Sequence, residues 1–545
     1  MRLFTSVTFA ALLSSAAFGQ TSPPISATTQ PVFEFADVHP SAPSTELYMR
    51  GVGLRDGRFE LRNATLLDLI SQAYGVDDDK VQGGPNWLEL DRFDVVAKAP
   101  PGSTSDTAKP MLQALLADRF KLVVHMDARP VPGFALTQGK GKPKMKESEG
   151  SGNGGCQGVP QTPAPGTVPY AMVSCRNMTM EAFAQNLRGM ANAYLDKPVV
   201  DSTGLKGSWD FDIKWTARAL LGRAGNDGIT IFDAVDKQLG LKLEAQNIPA
   251  SVIVVDSVNE KPTANPPEAA KLLPPSAPAE FEVAEIKPSP PDANRMGRIQ
   301  NGRVELQGFS LKELIRIAWD INSDDMIANE PKWLDSGHFS LLAKVSTSGP
   351  EPQVDFDELR VMLRALLADR FKLATHMEDR PVTAYTLMAD KPKLTKADPA
   401  NRTSCKEGSR ASAKGKDPRD ANPMLARLVT CQNITLAQFA QQLPGIAPGY
   451  IHNPVIEATG IEGAWDFTLS FSPIGLFQSA GIRPGDSGPT PAASPGTSAP
   501  AASDPSGAMS LFDAVKKQLG LRLDAQKRTM PVLVIDHAEQ NPTDN

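Results

Sequence analysis

Two short constellations in this chain combine residue types that can do acid/base chemistry. Asp118, Arg119, His125 and Arg129 recur, with the same spacing, as Asp369, Arg370, His376 and Arg380. A histidine titrates near neutrality, so beside a carboxylate it can carry protons, while arginines can hold an anionic group. Converging in one open pocket, the four would suit an extracytoplasmic hydrolase. The competing explanation is structural, because Asp and Arg at a helix end commonly pair with each other or cap the backbone, and a strand histidine usually packs. Trp87 and Trp333 sit in matching Pro-x-Trp-Leu contexts. Each ring suits an aromatic platform for a sugar or peptide, or an anchor between sheet and helix. Asp256 and Asp536 follow the apolar runs Val252–Val255 and Val532–Ile535 and read as turn residues.

Other chemistry is scarce. Gly150, Gly152 and Gly155 match a dinucleotide-binding spacing but lack the strand before and the helix after that such a site needs. The chain has no His-Glu-x-x-His, no Gly-x-Ser-x-Gly and no phosphate-binding Gly-Lys-Ser/Thr, so neither a metal nor a cofactor is expected. The four cysteines lie at matching places, Cys156 with Cys175 and Cys405 with Cys431. Neither pair has the close Cys-x-x-Cys spacing of a zinc site, and an oxidising compartment would make each pair a disulfide stapling a polar loop. Asn177 and Asn433 begin Asn-x-Thr sequons whose threonines, Thr179 and Thr435, read as helix N-caps.

The elements that must position these residues come in duplicate. Met111–Leu122 returns as Met362–Leu373 with one change, and further matches follow in order from Phe33-Glu34 with Phe281-Glu282 to Phe232–Leu241 with Phe512–Leu521. Residues 33–265 and 281–545 are therefore two copies of one module, expected to fold separately. Pro266–Glu280 between them, rich in Pro and Ala, reads as a semi-extended linker. The second copy carries an insertion at about 483–509 that is too poor in apolar residues to repay ordering. Thr65 with Asp68 heads an apolar stripe Leu66, Leu69, Ile70, Ala73, Tyr74, and Ser310 with Glu313 heads its repeat, which predicts a capped amphipathic helix in each copy. Further helices are expected at 108–120, 180–188 and 231–239. Strands are expected at 33–38, 58–61, 93–97, 122–125, 133–137, 209–213 and 252–255. Their irregular alternation predicts an α+β module with a mixed or antiparallel sheet.

At 545 residues the chain is long enough for several cores, and 41% apolar with 22% charged residues fits a globular protein. A net charge of −6 argues against a nucleic-acid partner, since neutralising phosphates requires clustered Lys and Arg. Arg2, the apolar run Leu3–Leu13 and the small residues to Gly19 predict a cleavable export signal at 1–19. No later segment is long and apolar enough for a membrane anchor, so a periplasmic or secreted location is expected.

Phe-Glu-Val-Ala-x-Ile-Lys-Pro at 281–288, the Met-Leu-x-x-Leu-Leu-Ala-Asp-Arg-Phe-Lys-Leu segments, Thr-Gly-Leu-x-Gly-x-Trp-Asp-Phe at 203–211 and Leu-Val-Ile-Asp-His at 533–537 form a specific pattern. It resembles a paralogous family of secreted acidobacterial proteins of unknown function, members of which also occur fused to membrane metallopeptidase sensors. The first copy departs from it with Ser257 where the second has His537. Ala234–Val255 and Ala514–Ile535 also resemble the small βαβ docking units at the N-termini of secretins and TonB-dependent receptors. Duplication without a settled catalytic group points to a non-catalytic envelope module that binds a protein, peptide or glycan, with avidity if both copies engage one target.

Overall fold

The computed structural model describes residues 31–42, 47–150, 154–160, 168–274, 279–290, 293–346, 354–407, 419, 422, 424–479 and 507–543. The expected leader at 1–19 lies outside them, as does the expected insertion apart from residues 507–509.

The first module begins β1 (Phe35–Pro40), β2 (Arg50–Arg55), β3 (Arg58–Thr65), α1 (Leu66–Tyr74), β4 (Val81–Gly83), β5 (Arg92–Lys98), α2 (Ser105–Arg119) and β6 (Val123–Gln138). It continues β7 (Lys146–Glu147), β8 (Gly155–Gly158), β9 (Tyr170–Thr179), α3 (Met180–Met190), β10 (Val199–Asp201), β11 (Ser208–Thr216), α4 (Ile231–Ala234) and β12 (Leu241–Ser257). The second module repeats the order: β13 (Val283–Pro288), β14 (Met296–Gln300), β15 (Arg303–Ser310), α5 (Leu311–Trp319), β16 (Ile327–Ala328), β17 (His338–Lys344), α6 (Phe356–Arg370) and β18 (Ala374–Ala389). Then come β19 (Thr395–Lys396), β20 (Ser404–Glu407), β21 (Arg427–Thr435), α7 (Leu436–Ile446), β22 (Val455–Glu457), β23 (Ala464–Phe471), α8 (Leu511–Ala514) and β24 (Leu521–His537).

Each module is two lobes joined by a ribbon, and the fold class is α+β. The N-terminal lobe packs the antiparallel sheet β1-β5-β3-β2 on α1 and α2, and the C-terminal lobe packs β7-β11-β9-β8 on α3 and α4. Between them β6 and β12 pair antiparallel along their whole length, with β10 parallel to β6 and β4 parallel to β12. The ribbon feeds both cores: Ile253 and Val255 enter the N-terminal one, and Phe134, Leu136 and Leu241 the C-terminal one. Residues 122–125 and 133–137, expected as separate strands, are therefore one 16-residue strand. Pro130 and Pro249 face each other in the middle of the ribbon, where neither strand has a second neighbour. A proline there removes no ladder hydrogen bond. The βαβ resemblance changes in the same way, because the two strands expected after Gly240 are the single strand β12.

The sheet orders expose a shorter repeat than the module. Both lobes share one strand topology, and each half contributes its last strand to the other half's side of the ribbon. Local chemistry follows the halves. Asn63 and Asn177 adopt left-handed φ of 53° and 48°, and Asn433 in the second module 49°, each at a bulge before a helix. Their N–H groups donate to Asp94, Asp210 and Asp466 at 2.7–2.8 Å. Thr65, Thr179, Ser310 and Thr435 then cap the four helices α1, α3, α5 and α7, each cap stabilising by about 1 kcal/mol. Every lobe also holds an edge-to-face phenylalanine pair at 4.9 Å: Phe93–Phe120, Phe183–Phe211, Phe339–Phe371 and Phe439–Phe467. The underlying unit is thus present four times.

The segment expected as a linker is partly packed. Ala269–Leu272 forms a helical turn against β1 with Ala269 buried, and Asn265 brackets the Val38 backbone through both of its side-chain ends.

Candidate functional site

The structure does not assemble the acid/base group. Arg119 is buried and spends its guanidinium on Thr263, Ala36 and Asn265, clamping the chain after β12 to the end of α2. Burial holds it below its ordinary pKa, against the nearby Asp118 and Asp37. Asp118 points to solvent with Lys121, and Arg129 pairs with Asp127 on its own strand. The second module repeats the dispersal: Asp369 meets Lys372 and Arg370, Arg380 meets Glu378, and the Arg370 carbonyl accepts the N–H of Thr543. This corrects the expectation of one pocket, and the structural explanation accounts for both arginines at the helix ends.

The histidines meet different carboxylates. His125 Nδ1 lies 2.9 Å from Asp256, and His376 Nδ1 lies 2.9 Å from Asp536. In each ribbon the aspartate is the extra residue of a bulge, the register passing from Val255 to Ser257 and from Ile535 to His537, which aims its carboxylate across the strand pair. These aspartates do not turn the chain. All four groups are about half exposed on an open sheet face, which supplies no enclosure for a substrate. Trp87 and Trp333 lie against their N-terminal-lobe cores, so packing rather than an open platform describes both.

The cysteine pairs are bonded, Cys156–Cys175 and Cys405–Cys431, each across directly paired strands with Cα atoms 4.0 Å apart.

A site that sequence reasoning missed lies at the seam between the modules. Arg50, Arg55 and Arg62 on the face of β2 and β3 meet Asp355, Asp357 and Glu358 at the start of α6. Arg62 Nη2 stands 2.8 Å from Asp355 Oδ1, and Asp355 also caps α6 by accepting the N–H groups of Asp357 and Glu358. Burial works against the Arg62 charge, yet Asp355, Glu60, Asp357 and Glu358 outweigh it and raise its pKa above the ordinary value. A second contact joins Glu89 to Arg402 and Lys406, Arg402 to the Gly83 carbonyl, and the Thr403 N–H to the Asn86 carbonyl. Separate folding was the expectation. The cores are indeed separate, but the modules are docked, and Leu47 of the first packs on the C-terminal-lobe core of the second.

Between these contacts lies a cleft of about 320 Å³, lined from both sides. Leu47, Met49 and Leu67 face Val429 and Ile446 across it. Most of its charged groups are already engaged with protein partners: Asp68 in the α1 capping box, Arg92 on the Leu47 and Asn63 carbonyls, Glu89 with Lys406, Arg427 with Glu407, while Asp78 accepts from the Ser71 hydroxyl. What remains is a largely apolar trough, the composition expected of a binding site. Neither ribbon histidine lines it. Divergence between the copies was the available signal. Gln300 and Gln307 occupy the positions of Arg55 and Arg62, and Thr104 and Thr107 those of Asp355 and Glu358.

Fold and seam define a tandem α+β protein with a cleft between its modules. Residues 67–258 and 312–538 match the model of a family described as protein of unknown function, DUF3738, and the chain belongs to that family. No curated protein and no solved structure matches it.

Proposed function

We propose that this is an exported, non-catalytic binding protein of the bacterial envelope, periplasmic or secreted, whose two modules act as one unit and take a protein, peptide or glycan in the cleft between them. The observation that carries this reading is the cleft itself, half of whose wall comes from each copy. The disulfides fit an oxidising compartment, and among the described residues no helix is long and apolar enough to cross a membrane. The hydrolase alternative calls for a convergence of Asp118, Arg119, His125 and Arg129, and their separate partners favour the binding reading over it.

The test is a thermal-shift panel of peptides, muropeptides and envelope oligosaccharides on the full chain, run beside Gln442→Trp. Gln442 lines the cleft from α7. The expected result is a ligand that raises the midpoint of the wild type and not of the variant. Ligands that shift both proteins equally would refute the site.

A further inference from the structure

The cleft opens onto an edge strand. Among the described residues, β20 is the last strand of the sheet β19-β23-β21-β20 and pairs only with β21. Two observations fix which of its backbone groups face outward. Cys405 and Cys431 are direct partners with Cα atoms 4.0 Å apart, the close spacing of a non-hydrogen-bonded antiparallel pair. In such a pair the N–H and C=O of both residues point away from the partner strand. The N–H of Thr403, two residues earlier and therefore facing the same way, bonds outward to Asn86 of the first module. The outward rungs are thus 403, 405 and 407. The first is taken by Asn86, and among the described residues nothing takes the N–H of Cys405 or Glu407. Ser404 to Glu407 all line the cleft, beside Leu47, Met49 and Val429.

We infer that the occupant of the cleft is an extended peptide segment that adds as a strand to β20, continuing the pairing Asn86 begins, with an apolar side chain in the trough between Leu47, Met49 and Val429. This rests on the cleft being the binding site and names what it binds. Main-chain hydrogen bonds supply affinity in such strand addition, and pockets for alternate side chains supply selectivity. Glu89, Lys406, Arg427 and Glu407 are paired internally, so the trough beside β20 favours an uncharged apolar residue at the central position, while Asp78 at its wall accepts from the Ser71 hydroxyl. The first module offers the same rung at Gly158 on β8, and that edge lines no part of this cleft.

The experiment selects a phage-displayed random nonapeptide library on the full chain and measures the enriched peptide, made synthetically, against three variants. Glu407→Pro removes an outward N–H without touching the β20–β21 ladder, though it also takes away the carboxylate beside Arg427, Gly158→Pro is its counterpart on the first module, and Gln442→Trp fills the cleft. The expected result is about tenfold weaker binding to Glu407→Pro, a similar loss when the facing peptide amide is N-methylated, no change with Gly158→Pro, and abolition by Gln442→Trp. Because N-methylation alters only the peptide, it decides the matter even if Glu407→Pro misfolds. Peptide binding indifferent to both changes overturns strand addition, while loss with Gln442→Trp would leave the cleft reading intact. Failure to enrich any peptide, with an oligosaccharide still bound in a Gln442-dependent way, overturns the peptide and keeps the cleft.

Discussion

Arg62 and Asp355 stand 2.8 Å apart across the seam between two copies of one module, and the second copy's own equivalent of Arg62 is Gln307. The contact is heterologous, one face of a module meeting a different face of the next, the kind that on repetition gives a ring or an open array. On the outer faces Gln300, Gln307, Thr104 and Thr107 stand where the seam carries Arg55, Arg62, Asp355 and Glu358, while Asp106 keeps the acid of Asp357, so most of these ion pairs belong to this junction.

Arg62→Gln, which copies the outer face onto the seam, is expected to cost about 1–3 kcal/mol, less than a fully buried pair because the arginine is partly exposed. Urea unfolding should show a lower midpoint. Combined with Arg55→Gln it should separate the unfolding of the two modules into distinct transitions, while a single unchanged transition would count against a coupling seam.

The left-handed asparagines give a sharper local test. Asn177→Gly, which keeps the left-handed backbone unstrained, should be the milder change, whereas Asn177→Val, with a branched side chain at φ 48°, should cost about 1–3 kcal/mol more. Thermal denaturation distinguishes the two.

The partner of that backbone carries a pH signature. The Asn177 N–H, with Ser148, Arg176 and Lys146, outweighs desolvation and holds the Asp210 carboxyl below its ordinary value of 3.8. A lowered folded-state value means that the stabilisation is complete above the unfolded value and is lost as pH falls through the folded one. Asp210→Asn should therefore lower stability near neutrality and flatten its further loss below about pH 4. Parallel acid limbs for variant and wild type would contradict this.

Much of the fold was legible because caps and stripes are local. Thr65 with Asp68 and Ser310 with Glu313 formed the capping boxes their spacing predicts. The ribbons were not, because Pro130 and Pro249 stop a strand only where a neighbour needs their N–H, and neighbours are set by topology. The fourfold unit leaves only short traces, such as Arg62-Asn63-x-Thr65 beside Arg176-Asn177-x-Thr179, since its remaining positions need only be apolar. His125 and Asp256 were each noted, but their meeting depends on a bulge that only the register reveals. The cleft belongs to neither copy alone, so no motif within a copy could announce it.

Each disulfide closes a loop, with sequence separations of 19 and 26, so reduction or paired Cys→Ala replacement should cost about 3 kcal/mol per bridge. Because Cys405 lines the cleft and Cys156 does not, loss of the Cys405–Cys431 bridge should also weaken ligand binding. Equal binding by the two disulfide variants would place the ligand elsewhere.

The ribbon pairs supply the decisive contrast with the cleft. Hydrogen–deuterium exchange of the full chain, with and without the ligand found in the thermal-shift panel, reads both regions at once. The account predicts ligand-induced protection at 47–49, 404–407 and 442–446 together. Protection confined to the strands around His125 and His376, with the cleft exchanging as before, would contradict it.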